Sequence, residues 1–196
     1  MTKLPRLGPR ATLRRLTPTD LRNFQAYRHD PLLGRYQGWS PLTDQEASAF
    51  LDEMNAVPLF QPGVWCQLGI ADPVTDELLG DIGVCVACGA TQAEIGFTLR
   101  AQSQGHGIAT AAVADAVALV FQHTAVEKVI AITDTRNAAS IRLLERLSMQ
   151  RLEAKAAMFR GEACVEHTFA VARDRTHMTS RTASCFCGLF CCVTAR

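Results

Sequence analysis

Gln102-Ser-Gln-Gly-His-Gly-Ile-Ala-Thr110 joins a run that alternates like a strand, Ala93 to Leu99, to an apolar run with helical periodicity, Gly107 to about His123. Gly105 and Gly107 let the backbone approach a ligand closely and adopt conformations that other residues resist. The unpaired N–H groups of the helix's first turn, reinforced by its dipole, attract phosphate oxygens. Read this way, the segment is an anion cradle large enough for a pyrophosphate.

Two glycines before a helix also occur in ordinary strand-to-helix turns, so the flanking elements must decide. Upstream, Arg10 to Leu16 reads as a first strand. Thr17-Pro-Thr-Asp20 then caps a helix carrying Leu21, Phe24 and Tyr27. Residues 31–42 hold Pro31, Gly34, Gly38 and Pro41 and read as a loop that contains Trp39. Thr43-Asp-Gln-Glu46 is a capping box for a second helix to about Asn55. Three strands follow, Val64 to Ala71, Leu78 to Ala87 and Ala93 to Leu99, separated by turns short enough for an antiparallel meander. Beyond the cradle come the helix to His123, a strand from Lys128 to Thr133, a helix from Asn137 to Leu147, and strands at Gln150 to Phe159 and Val165 to Ala172. A dinucleotide-binding turn would need a third glycine, an acidic residue about 20 positions on and parallel strands. A triphosphate loop would need Gly-Lys-Ser/Thr. Neither pattern is present.

The bulk properties narrow the setting. A chain of 196 residues, 48% hydrophobic and 20% charged, suits one soluble domain with one substantial core. Twenty basic against nineteen acidic residues leave a net charge of +1, so no overall field gathers nucleic acid or an anionic membrane. Ile108 to Phe121 is shorter than the roughly 20 residues of a membrane span and includes Asp115. The N-terminus is basic but lacks the apolar segment of about 7–15 residues that a secretion signal needs, so a cytoplasmic location is expected. Cys66, Cys85, Cys88 and Cys164 stand singly among apolar residues and read as small core hydrophobes. No internal repeat is visible.

On these residues the chain resembles the GNAT superfamily of acetyltransferases, whose Arg/Gln-x-x-Gly-x-Gly/Ala motif holds the pyrophosphate of coenzyme A. Ala101 to Ala112 and the later Asn137-Ala-Ala-Ser140 helix are similar to the RimJ/RimL-like branch. The element order agrees with that family from Arg10 to about Arg173. The resemblance implies an α/β (α+β) GNAT fold: a mixed, mostly antiparallel seven-stranded sheet, flanked by about four helices and splayed between its fourth and fifth strands. It also implies an acetyl-CoA-dependent N-acetyltransferase that needs no metal and acts on a primary amine, either a protein N-terminus or a small molecule. Direct attack in a ternary complex is the implied chemistry, by a monomer or a homodimer. The alternative in the same fold is a non-catalytic acyl-CoA sensor.

Carried over residue by residue, Gln102, Gln104, Gly105, His106, Gly107, Ile108 and Ala109 would meet the pyrophosphate, and main-chain groups of Phe97 and Leu99 the pantetheine arm. A bulge at Gly96 would open the strand. Asn137, itself a good helix cap, would contribute to the cofactor site. The tyrosine that many relatives use toward the leaving thiolate is replaced by Leu144, so Ser140 takes that role. A thiol with a pKa of about 8.5 needs only modest help to leave. Glu94 is the candidate proton acceptor, with Tyr27, Tyr36 and His167 as weaker ones. Tyr36 and Trp39 would line the acceptor side. Where relatives have Leu-Gly-Phe, this chain has Leu147-Ser148-Met149, which puts serine where glycine would relax into the left-handed region at a cost of about 1 kcal/mol. The tail, residues 174–196, carries Cys185, Cys187, Cys191 and Cys192 without zinc-site spacing and has no counterpart in the resemblance.

Overall fold

The computed structural model describes residues 4–174. Eight strands form one sheet: β1 (Arg6–Leu7), β2 (Thr12–Arg15), β3 (Trp65–Ala71), β4 (Leu78–Val86), β5 (Gln92–Leu99), β6 (Lys128–Asp134), β7 (Gln150–Phe159) and β8 (Glu162–Ala172). Five helices accompany them: α1 (Leu21–Arg28), α2 (Pro31–Gly34), α3 (Asp44–Ala56), α4 (Ile108–His123) and α5 (Ala138–Arg146). The strand order is β1-β2-β3-β4-β5-β6-β8-β7, and every neighbouring pair is antiparallel except β5 and β6. The expected meander and GNAT-type order are present. The two-residue β1 and the single-turn α2, inside the stretch read as a loop, raise the counts above seven strands and four helices. The tail's cysteines lie outside the described residues.

The pleat and the helix period sort the apolar residues into two layers. On one face, Ala112, Val113, Ala116, Leu119 and Val120 of α4 recur at helical spacing and pack with Leu68, Ile82, Ile95 and Phe169 of the sheet. On the other, Phe24 and Tyr27 of α1 and Ala47, Leu51 and Met54 of α3 enclose Leu16 and Leu78. Thr43 caps α3 through the box expected of it, its side chain accepting from the Glu46 amide while Glu46 accepts from the Thr43 amide. Ser148 takes φ +57° after α5, so this helix closes in the left-handed manner without glycine.

The second layer contains a charge pair. Arg28 donates to Asp81 of β4, with side chains only 7% and 3% exposed. The same guanidinium lies 4.6 Å from the Trp39 ring and 4.7 Å from that of Phe24. Trp39 also donates from Nε1 to Thr98 Oγ1 at 3.4 Å. Residues 35–42 are thereby tied to α1, β4 and β5. Tyr27 is 1% exposed within this core and its hydroxyl pKa is pushed up by desolvation, which removes it from the candidate bases. Among the cysteines, Cys66 and Cys164 are buried as expected, but Cys85 is half-buried and Cys88 is exposed, because the β4–β5 turn carries Cys88 out of the core.

Removing one partner of a buried ion pair leaves the other charge uncompensated. Asp81→Ala should lower the unfolding free energy by about 3–5 kcal/mol in urea titration.

Candidate functional site

β5 and β6 are parallel partners at only three positions, Gln92↔Lys128, Ala93↔Val129 and Glu94↔Ile130. Beyond Glu94 they part, and residues 95–99 keep β4 on one side with no strand on the other. The split falls between the strands where the splay was expected. Its origin differs: β4 and β5 stay in unbroken register from Gly80↔Leu99 to Val86↔Ala93, so Gly96 pairs with Gly83 and makes no bulge. The opening comes from the two strands parting while each keeps its other neighbour, not from extra length in β5. Gly96 serves as a space instead, since a Cβ there would meet nothing within 4 Å.

The carbonyls freed by the split are met by side chains. Gln37 Nε2 donates to the Phe97 carbonyl at 3.1 Å, and Gln104 Nε2 to the Leu99 carbonyl at 2.9 Å. Backbone acceptors that have only replaceable side-chain donors can take an incoming amide in their place. Phe97 and Leu99 are the two residues expected to offer this edge.

A cleft of about 540 Å³ continues from that edge. One end is the cradle: Gly105 has φ +81° and Gly107, the N-cap of α4, has φ +75°. The amides of Ile108, Ala109 and Thr110 have no partner within their helix and line the cleft. Two left-handed glycines and an open first turn thus stand where the sequence reading places its anion cradle. Gln104 lines it too. Gln102, in a short turn just before, and His106, whose carbonyl accepts from Arg10 at 2.9 Å, are exposed and outside the lining.

The far wall is α5. Asn137 caps it, with Oδ1 accepting from the Ser140 amide at 3.2 Å, which leaves its amide N–H groups for the cleft. Ser140 lines the cleft, and no protein partner for its hydroxyl exists among the described residues. Asp134, whose carboxyl is held low by the Arg136 guanidinium at 2.7 Å, fixes the turn that starts this helix. Arg142 and Arg146, one turn apart, also face the cleft; their i,i+4 spacing was the available signal, and sequence reading missed them. Leu144 is 1% exposed, so this position belongs to the core here.

Tyr36 and Gln37 close the cleft opposite α5, together with Leu32 and Leu33 of α2. Trp39 does not line it. Its ring is drawn away by Arg28 and Thr98, so its part is to hold the segment that presents Tyr36. Glu94 lies at the root of the split. By the pleat, Ala93, Ile95 and Leu99 enter the α4 core, while Glu94, Gly96 and Thr98 point to the opposite face, where Trp39 packs. Among the described residues Glu94 makes no ion pair, and its pKa is raised by burial first and by Glu166 second. His167 sits on β8 opposite Thr133, its buried Nδ1 without a hydrogen-bond partner among the described residues. A larger hollow of about 820 Å³ at the β1–β2 end, lined by Leu4, Leu7 and Val74 among others, contains none of these groups. Among the described residues no three His, Cys, Asp or Glu side chains cluster as a metal site requires, and no helix is long and apolar enough to cross a membrane.

Comparison with known proteins decides what the cradle and split belong to. Residues 10–150 match the model of the Acetyltransferase (GNAT) domain. The chain belongs to the GNAT acetyltransferase family. It is 29% identical over 144 residues to the uncharacterized N-acetyltransferase p20 of Bacillus licheniformis, covering 72% of this chain and 80% of that protein. Its fold is shared with a GNAT-family acetyltransferase from Bacillus anthracis (TM-score 0.73, 19% identity, 83% of this chain and 95% of the other). It is shared as well with RimL, a ribosomal L7/L12 α-N-protein acetyltransferase solved with coenzyme A (TM-score 0.75, 15% identity, 87% and 98%). This GNAT protein is thus an acetyl-CoA-dependent acetyltransferase.

The environment of Glu94 has a stability consequence. A carboxyl with a raised folded-state pKa contributes stability that is complete below its unfolded pKa and lost as pH rises through the folded value. Glu94→Gln should therefore melt at a higher temperature than wild type near pH 8, with the gap closing toward about pH 4. Paired melting curves across pH check the sign.

Proposed function

We propose that this GNAT enzyme acetylates the primary amine of a protein N-terminus by direct attack on the thioester in a ternary complex, as a member of the RimJ/RimL-like branch. One observation carries the reading: the unpaired β5 edge at Phe97 and Leu99 runs from the anion cradle to the root of the split, with Glu94 there and Ser140 across the cleft. Acetyl-CoA supplies an activated acetyl group and a thiol leaving group.

Gly105, Gly107, Ile108 and Ala109 would hold the pyrophosphate through main-chain amides, with Gln104 beside them. Phe97 and Leu99 would pair with the pantetheine arm, displacing the side chains of Gln37 and Gln104. Asn137 would add its free amide donors. The nucleophile must be an unprotonated amine, so a proton has to leave it before or during attack. Glu94 is the acceptor for that proton, directly or through water, and its raised pKa makes it a stronger base than an ordinary carboxylate. The hydroxyl of Ser140 donates a hydrogen bond to the departing sulfur, enough for a leaving group of pKa about 8.5. The protein-N-terminus assignment draws on the Asn137-x-x-Ser140 pattern and on the fold shared with RimL.

Thiol release from acetyl-CoA, measured with N-terminal peptides and small amines, tests this. Ser140→Ala should lower kcat by up to about tenfold, the worth of one hydrogen bond made in the transition state. Glu94→Gln should lower kcat and abolish the acid limb of the pH–rate profile, whose midpoint in wild type lies above that of an exposed glutamate. Full activity in both variants would remove these roles.

A further inference from the structure

Around the acceptor side of the split the charges are ordered by depth. The floor is negative. Glu94 lies at the root of the split, and Glu166 of β8 is near enough to raise its pKa. Neither has an ion-pair partner among the described residues. Between Glu94 and Thr98 the strand carries no side chain at Gly96, where the space above is open.

The rim is positive. The Tyr36 ring has two guanidiniums near it, Arg35 at 5.2 Å and Arg136 at 6.0 Å. Arg160, from the β7–β8 hairpin, donates to the Gln37 carbonyl at 3.1 Å and to that of Trp39. Arg136 is neutralised by Asp134. Arg35 and Arg160 form no ion pair among the described residues; Arg35 is close enough to Asp134 to help hold that carboxyl down, and Glu162, two residues beyond Arg160, forms no bridge to it. Arg35, on the segment that Gln37 and Trp39 attach to Phe97 and Thr98, and Arg160, docked on that segment from the hairpin, therefore stand at the rim as cations without an ion pair among the described residues.

Resting on the N-terminus reading above, we propose that the preferred acceptor is a peptide N-terminus with an acidic residue at its second or third position. The amine meets the carboxylates of the floor, and the acidic side chain meets Arg35 and Arg160 at the rim. The span sets the register. Phe97 and Thr98 lie three and four residues from Glu94, or about 10–13 Å along an extended strand. A free amino acid, whose own carboxylate lies within about 4 Å of its amine, falls short of the rim. An extended peptide rises about 3.3 Å per residue and reaches it with the side chain of residue two or three. The chain's net charge of +1 offers no general attraction to acidic proteins, so the preference is confined to this rim.

The test compares peptides that begin Ser-Asp-Asp with their Ser-Asn-Asn counterparts and with Ser-Lys-Lys, all followed by one common neutral sequence, with thiol release as the readout. At low salt the acidic peptide should have a kcat/KM at least about threefold above the amide form, and the lysine form should be poorest. That ordering should narrow in about 0.5 M salt, as partly exposed ion pairs are screened. Arg35→Gln should reduce the acidic-to-amide ratio through the acceptor KM. Arg160→Gln should do the same, and Arg160→Lys should restore part of the ratio if the charge, rather than the hydrogen bonds to the 37–39 backbone, is responsible. Equal use of the three peptides overturns the proposal while leaving N-terminal acetylation intact, and so does a rise in the acetyl-CoA KM that matches the loss in the arginine variants. Turnover of small amines with no peptide acetylated overturns instead the N-terminus reading on which the proposal rests.

Discussion

The last five residues of β5 have a strand on only one side, and the rest of the site is arranged around that fact. Backbone groups at a sheet edge inside a folded domain must find partners. β6 pairs with β5 for three residues and then the two strands part, so the carbonyls of Phe97 and Leu99 accept from the side chains of Gln37 and Gln104. A complete sheet would have sealed this gap with main-chain hydrogen bonds too numerous to displace. Side-chain amides can yield to a ligand's amide at little net cost, because one neutral hydrogen bond replaces another.

The two faces of the sheet divide the work. On the α4 side, an alanine- and valine-rich helix packs against the strands and brings the left-handed Gly105 and Gly107 to the end of β5. On the α1 side, the buried Arg28–Asp81 pair and the ring of Trp39 hold residues 35–42 against Thr98. The first face carries the glycine cradle. The second supplies Glu94, an open floor at Gly96 and a wall at Tyr36.

The features legible in the sequence were those set by neighbours in the chain. Gly105 and Gly107 at a strand-to-helix junction, the Thr43–Glu46 capping box and Asn137 as a cap each depend on a few consecutive residues, and each is found where its pattern placed it. β1, at two residues, and α2, at four, are too short for periodicity to reveal. Glycine in a strand signals either a bulge or an absent side chain, and Gly96 is the latter, because it pairs in unbroken register with Gly83 and borders open space. Trp39 reads in sequence as an acceptor-side aromatic, and the guanidinium of Arg28, at the end of α1, lies 4.6 Å from its ring, a contact with no local signal. The contact between Arg160 and Trp39 spans 121 residues of sequence and had no local signal at all.

Amide hydrogen exchange across residues 92–110, with and without saturating coenzyme A, tests most directly whether the unpaired edge of β5 is where the cofactor lies. The account predicts slowed exchange at Phe97 and Leu99 together with Gly107 to Thr110, and little change at Ala93 and Glu94, which are already paired with β6. Slowed exchange in the helix start alone, with Phe97 and Leu99 unaffected, would contradict it.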